Sequence, residues 1–231
     1  MYGPKGTARL PAEIIGLYGR FMNSLMDAVK RGVPGEDDSK GYALSVDPSV
    51  RKTQLEMREY ALKNEALLLD VLKNSSDAQH RIAAAEILGY AEQSARQTGA
   101  LAAAARDENS TVRNNATRAL GVLVGSNAKL AAEIPPDFFV NLLLSGEWSD
   151  LNKGSMLLAA MTADRTDEKT LALLRRGDVR ERLIEMARWR TGHAQDARYL
   201  LGRSAGIAEE RLKTLAKEGN AEEIIRASQQ K

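Results

Sequence analysis

The chain predicts an all-α fold, a right-handed α-solenoid of helix pairs with an N-terminal helical cap. Three observations carry this expectation. The first is repetition. The segment Ser76–Gly89 reads onto Glu108–Gly121, placing Arg81 on Arg113, Ala84 on Ala116 and Leu88-Gly89 on Leu120-Gly121. Trp148–Met161 is a weaker third copy with Lys153 at the arginine position, and Gly192–Gly202 is a fourth that ends in Leu201-Gly202. The Leu-Gly positions and their counterpart Ala160-Met161 step by 32, 40 and 41 residues. Periods of about 30 to 47 residues built from helix pairs mark an α-solenoid. The second is helical spacing. Val112, Ala116, Ala119, Leu120 and Leu123 form one stripe at i, i+4, i+7, i+8 and i+11. The third is composition: 43% of residues are hydrophobic but only 5% aromatic. Packing therefore falls to Ala, Leu and Ile, whose small side chains let helices approach closely.

The elements follow in order. Pro11 suits the first position of a helix running to about Arg31, with Ile14, Leu17, Tyr18, Phe21, Leu25 and Val29 as its apolar face. Gly32 and Pro34 end it, and a polar loop from Gly35 to Ser49 follows. A long helix is expected from Pro48 to Lys73, with Leu55, Tyr60, Leu62, Ala66, Leu69, Val71 and Leu72 on its apolar face. The turn Asn74-Ser75-Ser76-Asp77 offers oxygen caps to the next helix. Helix 78–92 is expected to pair with 95–105, 110–124 with 137–145, and 150–162 with 167–176. An added helix spans 179–190, helix 194–206 pairs with 208–217, and 221–229 closes the stack. The organisation expected is an N-terminal helix and polar loop over 1–47 acting as a cap, then the repeat solenoid over 48–231. The glycine after the repeat leucine (Gly89, Gly121, Gly202) costs about 1 kcal/mol of helix propensity. Its recurrence predicts a close helix approach there.

The stretch Asp107-Glu108-Asn109-Ser110-Thr111-Val112-Arg113, continuing through Ala116 to Ala119-Leu120-Gly121, resembles a HEAT repeat of the short bacterial type. That type also occurs in phycobilisome-lyase-like repeat proteins. The first copy keeps Asp77, Arg81, Ala84, Leu88 and Gly89, with His80 where valine is usual; the third keeps Lys153; the fourth has Ala194 at the arginine position. The repeats cover roughly Ser75 to Gly219, and the chain resembles bacterial HEAT-repeat proteins without an assigned activity. The resemblance implies that turn acid and helix-start arginine pair as a structural ladder, here Asp77, Arg81, Asp107 and Arg113.

Function is read by weighing constellations. With no cysteine, disulfides, thiolate catalysis and cysteine metal sites are excluded. Only His80 and His193 are present, too few for the His-Glu pairs of HEAT-type di-iron hydroxylases, so neither a metal nor a catalytic residue is expected. The loop Glu36-Asp37-Asp38-Ser39-Lys40-Gly41 with Asp47 misses a calcium loop, because Lys40 stands where an oxygen ligand is needed. Trp148-Ser149-Asp150 and Arg188-Trp189-Arg190 resemble the Trp and Asp that HEAT-like alkylpurine DNA glycosylases use on a basic face. The formal net charge of +2 does not suggest the concentrated basic footprint such binding needs. Arg175 to Lys213 is the most basic region, and a solvated, internally paired face is the expectation there. Asn114-Asn115, Asn152-Lys153 and Gln195-Asp196 recur at first-helix starts and would suit a peptide-recognition track.

The reading is a non-catalytic scaffold that binds another protein or peptide, with Trp148, Asp150, Lys153, Trp189, Arg190 and His193 as the contact set. The alternative is a DNA glycosylase-type enzyme, and a lyase-like chaperone for a chromophore is a third reading. No cofactor, no nucleic-acid partner and no membrane association are expected, and the chain should be monomeric. No segment approaches the ~18 apolar residues of a span. Ile14–Gly19, cut by Arg20, is too short for a signal-peptide core, which favours the cytoplasm, or the periplasm if a signal precedes Met1.

Overall fold

The structure is a computed structural model describing residues 3–33, 35–164 and 167–230. Among these residues it holds twelve α-helices, one 3-10 helix and a two-stranded antiparallel ribbon. Their contacts group the chain into two compact units, Met1–Ile134 and Pro135–Lys231.

The first unit holds α1 (Ala12–Lys30), β1 (Glu36–Asp37), β2 (Leu44–Ser45), α2 (Pro48–Asn74), α3 (Ala78–Leu88), α4 (Ala95–Ala104), α5 (Ser110–Ser126) and the 3-10 turn Ala128–Glu133. Side-chain oxygens start four of the five α-helices: Asp47, Asp77, Ser94 and Asn109 each accept backbone N–H groups of their own first turn. Helix α3 packs against α1, α2, α4 and α5, and every residue from Arg81 to Leu88 is buried. That explains the run of alanine, isoleucine and leucine from Ile82 onward, where the only charged side chain, Glu86, is paired with Arg118.

Two apolar faces differ from expectation. In α1 the last turn buries Ala28 and exposes Val29. In α2 the buried residues are Val50, Met57, Ala61, Leu68, Val71 and Leu72, whereas Leu55 and Leu62 face out. Thr53 and Gln54 lie inward because their polar groups are satisfied locally: Thr53 Oγ1 donates to the Val50 carbonyl, and Gln54 Oε1 accepts the Ser45 N–H at 2.6 Å. Further along, Asn64 leaves helical geometry (φ −132°, ψ 26°) while its Nδ2 donates to the Tyr60 carbonyl, and the buried stripe continues past it through Leu68 and Leu72.

The polar loop after α1 is built rather than open. Glu36 pairs with Ser45 and Asp37 with Leu44. Gly41 takes φ +78° at the ribbon's tip, where a Cβ would collide with the Gln93 amide. Ala43 and Leu44 are buried. Arg118 of α5 joins Glu36 of the ribbon to Glu86 of α3. Burial opposes the Arg118 charge, but the two carboxylates outweigh it and raise its pKa. Residues 3–10 are also tied down. The Gly6 carbonyl accepts the Ser76 N–H, Arg9 Nη1 donates to Ser75 Oγ, and the Leu10 N–H donates to His80 Nδ1 at 2.9 Å. Nδ1 can accept only while it carries no proton. Replacing His80 by Ala should release this arm and speed tryptic cleavage after Arg9 several-fold, read by limited proteolysis, with stability changed by about 1 kcal/mol.

The second unit holds α6 (Pro136–Leu142), α7 (Trp148–Met161), α8 (Glu168–Leu174), α9 (Gly177–Ala187), α10 (Ala194–Ser204), α11 (Glu209–Lys217) and α12 (Ala221–Gln229). Helix α10 is its hub and packs against α7, α8, α9, α11 and α12. Arg203 of α10 secures it by donating to the Ala159 carbonyl of α7 at 2.6 Å and pairing with Glu209 of α11. One expected pairing within this unit is replaced: α8 packs on α6, α10 and α9 instead of α7. It depends on which helices fill the space, which spacing along one helix does not encode.

Two of the three repeat glycines, Gly89 and Gly202, mark close approaches. A Cβ on Gly89 would lie 2.9 Å from the Ala119 Cβ of α5, and one on Gly202 would meet Leu212 of α11 at 2.3 Å. Gly89→Ala should therefore cost about 1–3 kcal/mol through overpacking. Gly99→Ala, in α4 with open space around it, should stabilise by about 0.5–1 kcal/mol. Urea unfolding of the two variants checks the opposite signs.

Candidate functional site

The repeat turns come first, because they separate structural from available side chains. Arg81 donates from Nε to Asp107 Oδ2 at 2.7 Å and from Nη2 to Asp107 Oδ1 at 2.9 Å, and it is 1% exposed. Its Nη1 also donates to the Ser75 carbonyl at 3.0 Å. One repeat on, Arg113 Nη1 donates to the Asp107 carbonyl at 3.0 Å, which is the same contact shifted along the chain. Asp107 is thus a rung between two repeats. Asp77 is not a rung: its carboxylate accepts the Gln79 N–H at the start of α3. In the turn geometry Asp77 corresponds to Asn109, and Ser75 corresponds to Asp107, so the acid of the first copy caps its helix and pairs with no arginine ladder.

The expected contact residues all lie in the second unit. Trp148 opens α7, and its side chain is 54% exposed. His193 stands at the N-cap position of α10, and its ring meets the indole edge to face with centroids 5.1 Å apart. Contact between α7 and α10 brings together two helix starts distant in sequence. Lys153, one turn into α7, is close enough to His193 and Asp196 to act on both electrostatically. Burial lowers the His193 pKa, and the Lys153 cation adds to that. Burial raises the Asp196 pKa, against the opposing pull of Lys153 and Arg203. Trp189 is half-buried just past α9, and Arg190 beside it is exposed.

Asp150 is a correction. Only 3% exposed, it accepts the Ser145 hydroxyl at 3.1 Å from inside the first turn of α7 and is not a surface residue. Asp196 was not singled out as a contact residue from sequence. The alignment of Gln195-Asp196 with Asn152-Lys153 is the signal that places it at an equivalent helix start.

The uncharged track is spent internally in the first unit. Asn115 Nδ2 donates to the Ile82 carbonyl and toward the Tyr18 hydroxyl, and Asn114 donates to Asn115. Asn152 is buried. The basic region is likewise paired. Arg175, Arg176, Arg182, Arg188, Arg203, Arg211 and Lys213 each meet a carboxylate, while Arg180 and Arg198 donate to backbone carbonyls. Among the described residues only Arg190 of this set meets neither. Among the described residues no three His, Asp or Glu side chains gather as a metal-holding cluster, and no helix is long and apolar enough to cross a membrane.

Comparison with known proteins agrees with this architecture. Residues 65–133 match the family model for HEAT repeats. The chain is similar in structure to a designed armadillo repeat protein solved in complex with the peptide (KR)4. The TM-score is 0.50 at 12% identity, over 83% of this chain and 95% of that one. No curated protein sequence is a significant match. The chain is thus all-α, with residues 65–133 similar to HEAT repeats and a fold similar to that of an armadillo-repeat protein.

Proposed function

We propose that this chain is a non-catalytic scaffold that binds another protein or peptide through the surface around Trp148 and His193. The observation that carries the reading is the Trp148–His193 pair. A large indole stands 54% exposed, yet it is fixed by an edge-to-face contact and flanked by Lys153 and Asp196. A held aromatic loses little conformational freedom on binding and supplies much apolar area, which is why Trp dominates interface hot spots. Trp189 and Arg190 extend the proposed surface from the loop that leads to His193. The fold is commonly used for this purpose, and the designed relative holds a peptide. The glycosylase-type alternative draws no support from the region Arg175–Lys213, whose cations are largely neutralised by their own carboxylates.

The test is affinity capture from native lysate with wild type and a Trp148→Ala/His193→Ala variant, both first matched for helicity and Tm. A protein retained by wild type and lost from the folded variant supports the reading. The same protein retained equally by both removes this surface from it. Recovery of nucleic acid in place of protein, with steep loss on added salt, overturns the scaffold reading.

A further inference from the structure

A second, independent site lies in the first unit, beneath the ribbon β1–β2. A pocket of about 320 Å³ is lined by Ser39, Lys40 and Tyr42 of the ribbon, Arg58 of α2, Glu92 and Gln93 after α3, and Ser126 of α5. Its walls are mostly polar atoms, and it is at the small end of ligand-site volumes.

Arg58 is the centre of the pocket. Its guanidinium lies 3.8 Å over the Tyr42 ring, and Nη1 donates to the Tyr90 carbonyl at 3.0 Å. These contacts fix the plane of the group and use one of its five N–H donors. Among the described residues no carboxylate lies within ion-pair distance of it. A half-buried arginine held in place without an anion is a fork ready to receive one, since Arg is suited to bidentate recognition of planar or tetrahedral oxyanions. Lys40 adds a second cation from the ribbon tip. Ser126 Oγ accepts from Gln93 Nε2 at 2.9 Å and donates to the Leu123 carbonyl at 2.9 Å, so the floor is a hydrogen-bonded surface. Glu92 is the one carboxylate in the lining, which leaves the pocket net cationic and favours a ligand that presents a hydroxyl or amine on that side.

The rim is built, not incidental. Gly41, at φ +78°, brings the ribbon tip onto Gln93 and Ser126. Arg118 anchors the other end of the ribbon through Glu36, and Gln54 Nε2 donates to the same carboxylate at 2.9 Å. The ribbon therefore holds Lys40 and Tyr42 over Arg58 as a fixed wall.

We infer that this pocket binds a small-molecule oxyanion, of the carboxylate or phosphate class, through Arg58 and Lys40. The experiment is a titration of ¹⁵N-labelled protein with inorganic phosphate and, separately, with succinate, against sodium chloride at matched ionic strength. The expected result is saturable shifts confined to the amides of Ser39–Tyr42, Ala91–Gln93 and Ser126 with at least one of the two anions. Which anion saturates at lower concentration decides between phosphate and carboxylate. Arg58→Gln, with Tm checked, should weaken that binding at least tenfold. Should that variant fail to fold, Lys40→Ala, at an exposed position, should weaken it at least threefold. The inference is overturned if neither anion shifts these amides beyond the chloride control, or if binding is unchanged in the folded Arg58 variant or in Lys40→Ala.

Discussion

Replacing Arg81 by Ala should destabilise the protein by about 3–5 kcal/mol, and Asp107→Ala should cost a similar amount. Arg81 is essentially fully buried and holds both oxygens of Asp107, so removal of either partner leaves the other buried charge without its main partner. Only the half-exposed Glu108, 3.6 Å from Arg81, or the Asn109 N–H on Asp107 remains. Loss of Arg81 also strips the Ser75 carbonyl of its donor. The desolvation cost is incurred whether or not the pair is intact, so the penalty for half a pair exceeds the net worth of the whole. It follows that the paired replacement Arg81→Met/Asp107→Leu should cost clearly less than the sum of the two alanine variants. Asp77→Ala offers the contrast: losing one cap on α3 should cost about 1 kcal/mol. Urea unfolding of the four variants reads all of these. A ladder of the surface type would give losses below 1 kcal/mol throughout.

Trp148→Ala should cost about 2 kcal/mol or more of partner affinity, roughly a 30-fold rise in Kd, while leaving the melting temperature within a few degrees of wild type. The separation of the two effects comes from exposure. More than half of the indole is in solvent, so truncation removes little folding energy, but a partner that covers the ring would lose its largest anchor. His193→Ala should act in the same direction more weakly, because it takes away the edge that orients the indole. Isothermal titration with the captured partner measures both. Equal affinity for Trp148→Ala and wild type would move the interface off this surface.

Much of the fold was legible because the chain repeats itself. Arg81 and Arg113 share a register, and the structure gives both the same carbonyl contact six residues back. The start of α3 was legible through its capping turn, where Asp77 accepts the Gln79 N–H. What failed were features outside the repeat register that depend on a neighbour distant in sequence. Leu55 and Leu62 look like core residues, but the inward stripe is the one through Val50, Gln54, Met57 and Ala61, where the side chains of Thr53 and Gln54 are satisfied. The ribbon over 36–45 is too short for a strand signal, and its hold depends on Arg118, more than seventy residues away. Asp150 reads as surface acid, but the turn hydroxyl of Ser145 and the packing of α7 bury it. Of the candidate surface, the residue types were legible at Trp148, Lys153 and His193. Their convergence was not, since it arises from the packing of α7 on α10.

The most direct test of the scaffold reading is site-specific photocrosslinking in cells. A benzophenone amino acid would replace Trp148 in one variant and Leu62, exposed on α2, in another. The expected result is a discrete protein adduct from position 148, absent from position 62. Adducts from position 62 alone, or nucleic-acid adducts from position 148, would contradict the account.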